Sequence, residues 1–348
     1  MVRYLLFLML LCGARGYAQY ESPVAYMSYF NTQEGELAKD YLGYMSAVTH
    51  SHSGRRMERR RQEVLTDVKV ALQSTAKMKA YEGDVALRDA FKEYYSILLT
   101  VLNEDYAKIV NMEEIAEKSY DNMEAYVLAQ EKASERLDEA AKKRQAAYAQ
   151  FAERNHIKLI ESESKISRKL EQVSKVSSYY HQIYLIFFKS NKQEMYLVEA
   201  FNANSINAVE QNKSTLIKYS GEGLQKLTEI KAFDNDYSLV AACRKMLEFY
   251  KMETEKKVQP IVDYLMKKEE FDKIKRSFES KSEQERTAAD IDAYNKIVND
   301  MNNSGSSFNK VNQELNTMRS SLTENWNNVV SKFLDTKIAL YLTPDSPC

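Results

Sequence analysis

Residues 294–333 read YNKIVNDMNNSGSSFNKVNQELNTMRSSLTENWNNVVSKF. Tyr294, Met301, Phe308, Leu315, Leu322 and Val329 recur every seven residues. Ile297, Val311 and Met318 fill the companion positions, and Trp326 and Phe333 continue the stripe. A seven-residue apolar repeat describes a helix buried along one seam against other helices, with slight left-handed supercoiling. Ser304-Gly305-Ser306-Ser307 interrupts the seam and predicts a kink or the close approach of a neighbour.

Working outward, the rest of the chain carries the same signature. Its 348 residues include 9 glycines and 4 prolines, where an average protein has roughly 40 of the two together. Turns depend on these residues for positive or preset φ. A many-stranded sandwich or barrel and a Gly-rich nucleotide-binding fold are therefore excluded. Between Met112 and Gly221 neither residue occurs. The expected fold class is all-α: an elongated, coiled-coil-like bundle of about eight long antiparallel helices. Helices of 30–45 residues would each span about 45–65 Å.

Asn31-Thr32-Gln33-Glu34 resembles a capping box and predicts a first helix from there to about Val48, after an irregular aromatic stretch 19–30. A second helix is expected over Arg55–Met78, with Val64, Val68, Val70, Ala71 and Leu72 giving it one buried stripe. The loop 79–84 follows, then a helix carrying Leu87, Phe91, Tyr94, Tyr95, Leu98, Leu99 and Leu102. One long helix should end near Asn155 and another begin near Ser162. Ile183–Phe188 (IYLIFF) is apolar all round and belongs in a bundle centre. Pro260 predicts a kink because it removes a helical hydrogen bond.

A repeat at an offset of 152 residues runs through this pattern. Leu72-Gln73 returns as Leu224-Gln225, Lys79-Ala80-Tyr81 as Lys231-Ala232-Phe233, Asp84 and Leu87 as Asp236 and Leu239, and Ile109-Val110 as Ile261-Val262. The expectation is an internal duplication, with helical halves over 31–180 and 181–340 in one continuous elongated domain.

Residues 1–18 read as a secretory signal peptide: Arg3, then the apolar run Tyr4–Cys12, then the small-x-small site Gly16-Tyr17-Ala18. Lipidation of Cys12 is the rival reading, weakened by Leu11. Removing 1–18 takes away Arg3 and Arg15, leaving 47 basic against 50 acidic residues. That balance does not suggest nucleic acid. No other stretch approaches the roughly 20 apolar residues of a membrane span. The protein is expected to be exported, to the periplasm, cell surface or exterior. Cys243 and Cys348 then remain, as a buried thiol and a free end or as a bridged pair.

The chemistry-bearing residues are sparse. His50 and His52 lack a third metal ligand at a useful spacing. Asp234-x-Asp236-x-Ser238 opens like a calcium loop but has Leu239 and Lys245 where that loop needs Gly and Glu. Asp84 and Asp236 read better as helix caps. Glu113, Glu114, Glu117, Asp290 and Asp292 are acidic but nothing brings them across a cleft, and no G-x-S-x-G occurs. A hydrolase would need facing carboxylates, or a nucleophile near His156 or His181. Arg55, Arg56, Arg59, Arg60 and Arg61 form a basic strip on the second helix, either an interaction surface for an anionic polymer or lipid headgroup or partners for neighbouring acidic faces. The 24 tyrosines suit buried rings with wet hydroxyls, and some suit an interface. Asn299, Asn302, Asn303, Asn309, Asn312 and Asn316 line the last helix as a solvated face or a polar groove.

Val101–Gln130 (VLNEDYAKIVNMEEIAEKSYDNMEAYVLAQ), Tyr184–Lys189 (YLIFFK), Asn325-Trp326-Asn327-Asn328 and Phe333-Leu334-Asp335 resemble a family of all-helical secreted or surface proteins of bacteria. The likeness runs over nearly the whole chain after residue 18. It implies an exported envelope protein and brings no catalytic or ligand residues with it. The ending Leu342-Thr343-Pro344-Asp345-Ser346-Pro347-Cys348 departs from the basic tail of that pattern.

Together these readings lead to a non-enzymatic exported helical protein that binds another protein or an envelope polymer, with no cofactor, metal or nucleic acid. An exported small-molecule or metal-binding protein with a pocket between the halves is the alternative. A binding scaffold should lack a converging cluster of perturbed titratable groups.

Overall fold

The computed structural model describes residues 20–50, 54–105, 116–159 and 165–342, with side chains over 20–44, 58–103, 116–159, 169 and 171–338. Residues 1–18, expected to be a signal peptide and including Cys12, lie outside the described residues, as do Glu113, Glu114 and Cys348. Among the described residues the fold is all-helical. In chain order the helices are α1 (Pro23–His50), α2 (Gly54–Lys77), α3 (Ala86–Thr100), α4 (Tyr120–Arg154), α5 (Lys165–Asn202), α6 (Ile206–Lys226), α7 (Ser238–Met252), α8 (Val258–Glu279) and α9 (Ala288–Leu342). One π turn, Val101–Asp105, follows α3, and another, Glu253–Lys257, follows α7. No described helix is long and apolar enough to cross a membrane.

Packing divides the chain into two compact units. The first draws on Met1–Met45, Ser53–Glu104 and Ala133–Ile166, the second on Ser46–His52, Asp105–Lys132 and Ser167–Cys348. In the first, α1, α2, α3 and the later part of α4 bury Tyr26, Phe30, Val64, Val68, Phe91 and Phe151. In the second, the core gathers Ile183, Leu197, Leu216, Cys243, Leu247 and Trp326.

The loops before α3 and α7 have one geometry. Tyr81 and Asp84 exchange both backbone hydrogen bonds (3.1 and 2.8 Å), and so do Phe233 and Asp236 (3.1 and 2.8 Å). The two residues between them have positive φ in each case: 50° and 85° at Glu82 and Gly83, 48° and 62° at Asp234 and Asn235. Two successive left-handed residues make a tight type I′ turn, which glycine, Asn and Asp tolerate best. Asp84 Oδ1 then accepts from Ala86 N, and Asp236 Oδ1 from Ser238 N, both at 2.8 Å. The aspartates thus hold the first free N–H of each helix from one residue outside the cap positions, Val85 and Tyr237.

Several local expectations change. Helix α1 starts at Pro23, so Asn31–Glu34 lies inside it. The start signal is Ser22-Pro23: the Ser22 hydroxyl accepts from Ala25 N at 3.1 Å, and proline at the first helical position is preset for helix. Helix lengths run from 15 residues in α3 and α7 to 55 in α9, the last rising about 80 Å at 1.5 Å per residue. The break expected from Pro260 takes the form of the π turn just before α8. The π turn at Val101–Asp105 has no proline after it, so proline is not its only cause. The Ser304–Ser307 patch leaves α9 unbroken and admits a neighbour: a Cβ on Gly305 would sit 3.7 Å from the Tyr264 ring, which stacks on Phe308 at 4.5 Å. Met318, 41% exposed, leaves the seam, and Val70, 54% exposed, leaves the buried stripe expected of α2.

Candidate functional site

The basic strip on α2 does not form one free face. Arg61 is 8% exposed. Its guanidinium donates to both Glu58 oxygens at 2.8 Å and to the Leu102 carbonyl at 2.7 Å, within the π turn after α3. These hydrogen bonds hold the Glu58 carboxyl below the usual carboxylate range. Arg59 and Arg60 are more open, and both lie against Glu63, at 3.8 and 2.8 Å. The side chains of Arg55 and Arg56, like His50 and His52, lie outside those described.

Of the acidic residues singled out from the sequence, Glu113 and Glu114 lie outside the described residues, Glu117 is exposed, and Asp290 is engaged locally. Asp290 caps α9: it accepts from the Thr287 N–H and hydroxyl at 2.8 Å and from Lys281 Nζ at 2.6 Å. Lys281 and the Thr287 donors together lower its carboxyl to about 2. Asp292 is exposed. Burial lowers the His181 imidazole and so keeps it neutral, and it pushes the Cys243 thiol up, away from the thiolate that a nucleophile needs. Cys243 is buried and has no disulfide partner among the described residues. Among the described residues no three His, Cys, Asp or Glu side chains gather as metal ligands.

The titratable groups that do meet are ones the sequence reading passed over. In the second unit Arg319, from α9, donates to Glu194 of α5 and, at 2.7 Å, to Glu253 at the head of the second π turn. Its other amino group donates to Asn316 Oδ1 at 2.6 Å. Glu253 is 0% exposed and Glu194 is buried. Glu253 Oε2 is buried with no hydrogen-bond partner among the described residues. Desolvation, added to the Glu194 charge and only partly offset by Arg319, raises the Glu253 carboxyl to about 8. Desolvation raises Glu194 in the same direction. Tyr250, fully buried one helical turn before Glu253, donates to Asn191 Oδ1 at 2.9 Å. The expectation that no such cluster exists is therefore corrected.

The signal for this cluster was present as misplaced charge. Glu194 falls on the buried stripe Ile183, Phe187, Ser190, Leu197 of α5. Glu253 continues the stripe Leu239, Met246, Tyr250 of α7. Arg319 follows Leu315 by four residues on the α9 seam. A charged residue in an apolar helical register needs a buried partner.

Arg319 also lines an open depression of about 590 Å³ on α9, with Asn316, Ser320, Thr323, Glu324, Asn327 and Asn328. Asn316, Ser320, Thr323 and Asn327 follow the 4-3-4 spacing of one helical face. Asn299, Asn302, Asn303, Asn309 and Asn312 are exposed, a solvated face beyond that depression.

No protein-family model, no curated protein and no solved structure matches this chain.

Proposed function

We propose that this is an exported, non-enzymatic helical protein that binds a protein or an envelope polymer along α9. The observation that carries this reading is the outward row Asn316, Ser320, Thr323 and Asn327 around Arg319. Amides and hydroxyls there can donate and accept toward a polar chain, while Glu194 and Glu253 are turned inward and shared on the Arg319 guanidinium. Two carboxylates fixed on the same guanidinium cannot flank a substrate bond or position a water between them, as carboxylate hydrolysis requires. Export rests on the signal-like residues 1–18 and on the family resemblance.

The scaffold itself we read as a duplicated four-helix unit in an elongated, coiled-coil-like chain. Three features support the duplication beyond the sequence offset. The two type I′ turns agree bond for bond. Each is followed by a 15-residue helix and then a five-residue π turn. Each unit also has the same ring triangle. Tyr26, Tyr81 and Phe151 have centroids 5.5, 5.4 and 5.7 Å apart. Tyr179, Phe233 and Phe333 have centroids 5.3, 5.7 and 5.8 Å apart.

A pull-down with residues 19–348 against solubilised envelope and extracellular material, read by mass spectrometry, tests the reading. One saturable partner, lost on replacing Ser320, Thr323 and Asn327 by alanine but kept when Arg59 and Arg60 are neutralised, supports it. A partner lost only in the arginine variant moves the surface to α2. Capture of nothing saturable overturns it.

A further inference from the structure

We propose that the Glu194–Arg319–Glu253 cluster is a proton-binding site, whose proton holds the second π turn against α9 and whose release loosens that seam. The argument starts from charge. Two carboxylates face one guanidinium, so with both ionised the cluster has one negative charge in excess. Around it the groups are neutral or already committed. From α7 come Tyr250 and, behind it, Cys243, both protonated in the buried state. The α7 ring of Phe249 lies 5.9 Å from the Arg319 guanidinium. On α6, which also packs on the π turn, Lys213 faces its own Glu210 at 3.5 Å. Lys257, at the end of the π turn, pairs with Glu314 of α9 at 2.7 Å. No second cation among these groups reaches Glu253.

Geometry places the excess charge. Arg319 engages Glu253 through Oε1 and leaves Oε2 buried without a donor. A buried carboxylate oxygen without a donor is costly. A proton on that oxygen removes the excess charge and needs no cavity. The residue that carries it opens a π turn, and single-turn π segments recur at functional sites. Burial raises the Glu253 carboxyl to about 8 from an ordinary 4.5. A group raised on folding contributes fully below its unfolded value, and its contribution falls as pH rises and is lost above its folded value. The window is therefore pH 4.5 to 8.

The test is thermal unfolding of the full chain between pH 5 and 9, beside Glu253→Gln, which keeps the shape and supplies a permanent donor. Wild type should lose about 5 °C or more relative to Glu253→Gln between pH 5 and 8. Parallel profiles overturn the proposal. If Glu253→Gln does not fold, infrared spectroscopy of wild type decides. The carbonyl band of a buried, protonated carboxylic acid at pH 6 that disappears by pH 9 supports the proposal, and its absence at pH 6 overturns it.

Discussion

The two π turns have nearly the same setting and opposite interiors. Val101 opens the first and is 0% exposed, surrounded by apolar packing, while Glu253 opens the second, equally buried but ionisable. The first turn meets its arginine through the backbone, Arg61 donating to the Leu102 carbonyl. The second meets Arg319 through a side chain. Elsewhere the polarity reverses. With the ring triangles as register, Glu34 and Arg144 of the first unit correspond to Phe187 and Trp326 of the second. The first pair is an ion pair under aromatic rings, with the Arg144 guanidinium 4.4 Å from the Tyr94 centroid, and burial lowers its pKa to about 10. The second pair is a ring stack at 4.4 Å. Under the proposed duplication, the repeated unit tolerates either filling, and buried charge is a local choice rather than a requirement of the fold. Such pairs give little net stability but are expensive to break.

Breaking that comparison gives the largest effect. Arg319→Met removes the donor shared by Glu194 and Glu253, leaving a buried carboxylate beside a protonated neighbour, and should cost about 3–5 kcal/mol at neutral pH in denaturant unfolding. Arg144→Met strands only Glu34, which keeps some solvent access, and should cost about half as much. Equal costs would mean that the second cluster depends on its arginine no more than the first pair does.

A smaller difference is set by packing. Gly223 of α6 stands where the first unit has Ala71. A Cβ at 223 would lie 2.8 Å from Leu247 Cδ1 and 3.1 Å from Ile186 Cγ2. Gly223→Ala should therefore destabilise by about 1–3 kcal/mol despite its better helix propensity, whereas the first unit already accepts alanine at the matching position. Stabilisation by Gly223→Ala would show that the α5–α6–α7 crossing is looser than described. Smallest of all, Asp84→Ala and Asp236→Ala should cost similar amounts, about 0.5–1 kcal/mol each, since each aspartate holds one equivalent N–H. A marked inequality would point to the exposed Arg154–Asp84 pair at 2.9 Å, which surface screening otherwise makes weak.

Much of the scaffold was legible because it follows from periodicity. The stripe over 294–333 gave one long helix, and Asp84 and Asp236 marked the starts of α3 and α7. The misses have distinct causes. The start of α1 was taken from a polar pattern at Asn31, although Ser22-Pro23 was the stronger signal. The π turns leave no mark in apolar spacing, since one extra residue per turn only rotates the stripe. Glu194, Glu253 and Arg319 were read past because acidic and basic residues are so common in this chain that their helical register, not their presence, was informative. Arg61 was grouped with its neighbours in a basic strip although Val64 and Val68 put it on the buried face of α2.

Hydrogen exchange at the two π turns is the most direct measurement, comparing amides of Val101–Asp105 with those of Glu253–Lys257 at pH 6 and pH 8.5 after correction for intrinsic rates. The expected result is loss of protection at Glu253–Lys257 on raising pH, with Val101–Asp105 unchanged. Equal change at both turns, or none at either, would contradict the assignment of a proton to the second.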